Sequence, residues 1–258
     1  MKRVLTALLL IPAIVVVNFS APRFLVWAVL IAVSLLALRE LFSLIERLGF
    51  RPYRIAAYGA GTLLIAAPGA PETALIIGFS LILLALSFQR SEPLSGAFGA
   101  ASSTLFCVVY VCGPFLLARR LHELSPYWLF FVLLINWTGD SAAFYAGRAF
   151  GKHKLARRIS PHKTWEGTFA SMLVAAPAGA GYLMYFKPDP PVLLVCLLLA
   201  AMVNIAAQLG DLAESVLKRE AEVKDSGRLL PGHGGMLDRV DGMLFSLPAC
   251  YFLLRLFG

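Results

Sequence analysis

The chain has 258 residues, 59% of them hydrophobic and only 15% charged, with a formal net charge of +8 at pH 7 and a mean hydropathy of +0.76. A soluble domain of this length needs far more charge to cover its surface, so lipid is the solvent for most of the chain. Backbone polar groups in hydrocarbon must be satisfied inside a helix or a closed barrel, and the apolar stretches here are continuous rather than alternating, which predicts an all-α polytopic membrane bundle.

In chain order, nine apolar segments read as transmembrane helices: about 4–19, 24–38, 55–67, 73–88, 98–118, 128–147, 168–186, 191–210 and 242–257. The first follows Met1-Lys2-Arg3 and resembles a signal peptide, but further spans come directly after it, so it is taken as the first helix. The third is interrupted by Gly59, Gly61 and Pro68 and is the candidate for a re-entrant segment. Cys107, Cys112, Cys196 and Cys250 lie in apolar runs without a CxxC pair, which predicts buried structural thiols. With the amino terminus in the cytoplasm, 18 of the 23 Lys and Arg fall inside. That asymmetry predicts an N-in, C-out topology, with Arg119-Arg120 as the one discordant loop. The chain reads as a single membrane domain, with residues 1–127 mainly structural and 128–258 carrying the chemistry.

Two cytoplasmic blocks hold the polar residues. In the first, Asp140 stands about two turns inside the end of an apolar helix, where a carboxylate marks an ion or substrate site. Arg148, Gly147, Gly151 and Lys163 follow. The glycines would let backbone approach a ligand, and Ser160-Pro161 through Glu166 reads as a capped helix start. In the second block, Asp211, Glu214, Ser215 and Lys218 recur at i, i+3, i+4 and i+7, hence on one helical face. Arg219, Lys224, Asp225, His233, Asp238, Arg239 and Asp241 follow, with Asp238 and Asp241 sharing a face at the start of the last span. Pro231-Gly232-His233-Gly234-Gly235 offers a backbone able to fold against an anion. Carboxylates, cations and glycines at a water boundary suit magnesium, which takes one or two carboxylates and completes its shell with substrate phosphates. The chemistry indicated is phosphoryl or nucleotidyl transfer. The cations are not interleaved with stacking aromatics, so nucleic acid is not an expected partner.

The stretch Ser215-x-x-Lys218-Arg219, then Lys224-Asp225-Ser226, then Leu230-Pro231-x-His233-Gly234-Gly235-x-x-Asp238-Arg239-x-Asp241 resembles the signature of phosphatidate cytidylyltransferases (CDP-diacylglycerol synthases). The blocks around Asp140 and Lys163 are similar to others of that family, although His162 and Gly242 depart from its usual residues. The resemblance implies the reaction CTP + phosphatidate → CDP-diacylglycerol + pyrophosphate with Mg2+, at the cytoplasmic face of a bacterial inner membrane, in a homodimer. It implies Asp211 and Asp238 as metal ligands, and a catalytic set of Lys218, Arg219, Lys224, Asp225, His233 and Asp241. Asp140, Arg148, Lys163, Ser215 and Arg239 form the substrate-binding set. The alternatives are a related CTP-dependent lipid kinase, or a transporter with an intramembrane carboxylate. A repeated half with matching broken helices, the mark of many transporters, is not visible.

Overall fold

The structure is a computed structural model and describes residues 2–67, 71–87, 96–227, 229 and 234–257. Its helices are α1 (Lys2–Ser20), α2 (Arg23–Arg47), α3 (Arg54–Ala66), α4 (Glu72–Ser87), α5 (Ala97–Cys107), α6 (Gly113–Leu124), α7 (Pro126–Phe150), α8 (Trp165–Phe186), α9 (Leu193–Glu220), α10 (Leu237–Val240) and α11 (Met243–Phe257). A π-helical turn, Val108–Cys112, joins α5 to α6 without a break. Among the described residues five stretches are long and apolar enough to cross a membrane: α2, α5 through α6, α7, α8 and α9. Ile11–Ser20, Arg54–Ala66 and Thr73–Ser87 are apolar but shorter. The four cysteines are free and buried.

The all-α expectation needs one correction. Strands β1 (Lys154–Ala156) and β2 (Ser160–Thr164) form an antiparallel hairpin between α7 and α8, pairing Lys154 with Thr164 and Ala156 with Ser160. The helix start read at Ser160-Pro161 is therefore a strand. The cap is Thr164, whose hydroxyl accepts from the Gly167 N–H at 3.2 Å, as an N-cap residue does for an orphan donor of the first turn.

The chain forms two compact units: Met1–Ala13, Ser20–Arg119 and Leu217–Val240 make the first, and Ile14–Phe19, Arg120–Val216 and Asp241–Gly258 the second. The first packs α2 against α3, the π turn and α10, with Leu38, Leu41, Phe42, Ile65, Cys112 and Phe115 fully buried. Arg119 belongs to this core and not to a loop, because α6 continues to Leu124. It is 0% exposed, donates to the Ile65 carbonyl at 2.5 Å and lies 5.4 Å from the Trp27 ring. The carbonyls of a helix's last turn lack intrahelical partners, so Arg119 caps the end of α3 and its charge no longer reads on topology.

The second unit packs α7 along α8, with α11 also against α7. Small residues set the spacing: a Cβ at Gly179 of α8 would stand 2.5 Å from Ile135 Cδ1 and 3.1 Å from Ala200 Cβ. A polar seam runs inside it. Asn204 donates to Ser171 Oγ at 2.9 Å, Gln208 donates to Asn204 Oδ1 at 2.8 Å, and Asn136 donates to Ser246 Oγ at 2.9 Å. Such bonds satisfy polar groups that lipid cannot.

Candidate active site

The polar residues of the second signature block fall into two groups, one in each unit. In the first unit, helix α9 continues through the signature to Glu220 and delivers Lys218 near its end. Lys218 Nζ donates to Asp238 Oδ1 at 2.7 Å, with the two side chains 11% and 8% exposed. Asp238 Oδ2 also accepts the N–H groups of Ser226 at 3.0 Å and Gly235 at 2.8 Å. Burial by itself would raise the Asp238 carboxyl. The Lys218 ammonium and the two N–H donors outweigh it and hold the group below its ordinary value. Three donors already engage a carboxylate that offers about four lone-pair positions.

Sequence reasoning missed Glu40. It sits on α2, 9% exposed, and reaches the segment that follows α9. Its Oε2 accepts the Ser226 hydroxyl at 2.9 Å and the Leu237 N–H at 2.8 Å, and its Oε1 accepts the Met236 N–H at 2.9 Å. Gly227, Gly234 and Gly235 thus lie against the protein's own anions. A Cβ at Gly227 would stand 2.5 Å from Glu40 Oε1, and one at Gly235 would overlap the Glu40 carboxylate. Gly234, at φ +79°, would bring a Cβ within 2.8 Å of Asp238 Oδ2.

Lys224 and Asp225 are exposed beside this loop. Arg219 is exposed at the end of α9, its guanidinium donating to the Val223 carbonyl at 3.4 Å. Arg239 is exposed on α10. His233 lies outside the described residues.

In the second unit, the hairpin carries Lys163 to Asp211, with Nζ to Oδ2 at 2.6 Å. Gly147 and Gly151 serve this placement. A Cβ at Gly147 would meet Thr164 Oγ1 at 3.1 Å, and one at Gly151 would meet Thr164 Cγ2 at 2.7 Å. Gly167 lets α8 lie on α7, where a Cβ would be 2.8 Å from the Ala143 carbonyl. Asp140 is exposed on α7, ten residues before its end at Phe150 and so deeper than two turns, and Arg148 is exposed in the last turn. Ser215 is buried at 7% and Glu214 at 0%.

Asp241 does not continue the α10 helix with Asp238. The chain turns at Asp241-Gly242 before α11 begins at Met243. The expected shared face is broken there, for two steric reasons. Gly210 admits this turn, since a Cβ on it would stand 2.5 Å from the Asp241 carbonyl, and a Cβ at Gly242 would be 2.6 Å from Asn136 Oδ1. Burial raises the Asp241 carboxyl well above the usual range, and the charges of Asp211, Glu214 and Asp140 raise it further.

That crowding of like charges is the donor chemistry a hard divalent cation relieves. Among the described residues no three His, Cys, Asp or Glu side chains stand close enough to enclose a metal by themselves.

The sequence profile of the Cytidylyltransferase family matches residues 1–257. The chain belongs to the cytidylyltransferase family. Among its relatives is the phosphatidate cytidylyltransferase of Bacillus subtilis, 43% identical over a stretch covering 56% of this chain and 53% of that protein. The phosphatidate cytidylyltransferase of Staphylococcus saprophyticus is 37% identical over 69% of this chain and 68% of its own length. That of Brucella suis is 40% identical over 77% of this chain and 69% of its own. The chain thus spans about half of the first relative and about two thirds of the other two.

Proposed function

We propose that this chain is a phosphatidate cytidylyltransferase that converts CTP and phosphatidate to CDP-diacylglycerol and pyrophosphate. One observation carries the reading beyond family membership: each aspartate expected to hold metal is paired with a lysine of the expected catalytic or substrate-binding set. These are Asp238 with Lys218 at 2.7 Å and Asp211 with Lys163 at 2.6 Å. An aspartate that turns to a cation leaves its lysine an ammonium ready for a phosphate oxygen, so the pairs keep both charges neutralised until substrate arrives.

Asp211 and Asp238 are each proposed as a ligand for Mg2+. When bound, the ion supplies neutralisation of the triphosphate and of the departing pyrophosphate. Lys218, Arg219, Lys224 and Arg239 screen the triphosphate and the phosphatidate headgroup, and Lys163, Arg148, Ser215 and Asp140 complete the binding of substrate. The phosphatidate phosphate is anionic at neutral pH and attacks without losing a proton to the protein. Alignment of two polyanions is therefore the main work of these side chains. Asp225, Asp241 and His233 are proposed to position the reacting groups.

The same reading takes the chain as one membrane domain of nine spans, amino terminus inside and carboxyl terminus outside, with the chemistry in residues 128–258 at the cytoplasmic face of a bacterial inner membrane. A homodimer is part of it. The deciding experiment is product analysis with purified protein, labelled CTP, Mg2+ and phosphatidate. CDP-lipid with pyrophosphate is expected. Phosphorylated lipid with free CDP would replace the reading by a CTP-dependent lipid kinase.

A further inference from the structure

We propose that Glu40 is a positioning residue that clamps Ser226 to Met236 and Leu237, the two ends of the signature loop, and so sets the geometry of Asp238, which Ser226 also holds. The inference rests on the function proposed above for its effect on turnover, but the clamp itself does not. Glu40 comes from α2, far earlier in the chain. Its two oxygens accept one hydroxyl and two backbone N–H donors, and these come from both ends of the loop: Ser226 at one, Met236 and Leu237 at the other. Ser226 links this clamp to the ion pair, because its N–H donates to Asp238 while its hydroxyl donates to Glu40. Gly227 and Gly235 complete the grip, each leaving the space that the Glu40 carboxylate fills.

The chemistry demands a carboxylate. A glutamine of the same shape has one oxygen and one NH2 group. With its oxygen toward Met236, the NH2 faces the Leu237 N–H; with the amide flipped, it faces the Met236 N–H. Either orientation leaves a buried backbone donor without an acceptor, which costs far more than the lost bond returns. Aspartate is shorter by one methylene and cannot reach both ends.

The test is Glu40→Gln, with Ser226→Ala as the milder second variant, in the full chain in detergent. Deuterium exchange across residues 224–240 reads the clamp without any need for activity, and steady-state turnover of CTP and phosphatidate reads the positioning. Expected for Glu40→Gln are exchange at the Met236 and Leu237 amides about tenfold faster and kcat at least about tenfold lower, with exchange in α7 and α8 unchanged. Ser226→Ala should give a smaller change in the same direction. Unchanged exchange at the loop in both variants would overturn the clamp. Faster exchange with wild-type kcat and KM would make Glu40 a structural residue only and overturn its positioning role. Should Glu40→Gln fail to fold, Ser226→Ala decides by the same two readings. A wild-type protein inactive on CTP and phosphatidate would sink the proposed reaction and leave the exchange result to judge the clamp.

Discussion

Lys218 and Asp238 form a nearly dry ion pair, 2.7 Å apart, between the end of α9 and the short helix α10. Breaking a buried pair by removing one partner leaves a charge without compensation. Lys218→Met should therefore lower stability by about 3 kcal/mol as well as abolish turnover, measured by thermal unfolding in detergent and by CDP-lipid formation. A variant with wild-type melting would show that the Ser226 and Gly235 N–H groups suffice to hold Asp238.

Asp211 faces Lys163 across a more open site, the side chains 35% and 23% exposed. Asp211→Asn should fold normally, since a partly exposed pair contributes little to stability. Turnover should fall by at least about a hundredfold, and the residual activity should need more Mg2+ than wild type. Removal of Mg2+ by EDTA should stop the wild-type reaction and restore it on readdition. An Asp211→Asn enzyme with an unshifted Mg2+ titration would take this residue out of the metal shell.

Two glycines make opposite forecasts. Gly235→Ala places a methyl group on the Glu40 carboxylate and the Ser226 hydroxyl, both buried. It should cost roughly 1–3 kcal/mol together with most of the activity. Gly59→Ala in α3 meets nothing within 4 Å and should stabilise by about 0.5–1 kcal/mol. Unfolding midpoints for the two variants check both signs.

The proposed topology can be read chemically, because all four native cysteines are buried and should label slowly. Lys154→Cys in the hairpin should react with a membrane-impermeant maleimide only from the cytoplasmic side. Asp189→Cys, beyond the end of α8, should react only from the opposite side. Labelling of both from one side would contradict an odd number of crossings between them.

The apolar segments were legible because lipid imposes one requirement, a satisfied backbone, and helices meet it over long uninterrupted runs. The chemistry of the second block was legible because its polar residues are dense and their spacing repeats. Other features depend on partners that sequence does not bring together. Lone Glu40 beside Arg39 looks like the polar end of a span, and its partners Ser226 and Leu237 lie 186 and 197 positions away. Arg119 looks like a loop residue until the end of α3 supplies a carbonyl for it. The hairpin at Lys154–Thr164 has no alternation of apolar and polar residues, and both Ser160 and Thr164 qualify as helix caps. The strand pairing of Ser160 with Ala156 and the bond from the Gly167 N–H to the Thr164 hydroxyl distinguish them.

The space occupied by the Glu40 carboxylate is missing from two other residues, Gly227 and Gly235. Positions 40, 227 and 235 are therefore one unit of inheritance. A lineage that loses the acid at 40 is released from glycine at 227, whereas a side chain at 235 also needs the Ser226 hydroxyl, which its Cβ would overlap, to give way. Among related sequences a side chain at 227 should appear only where position 40 has shortened, and one at 235 only where position 226 has changed as well.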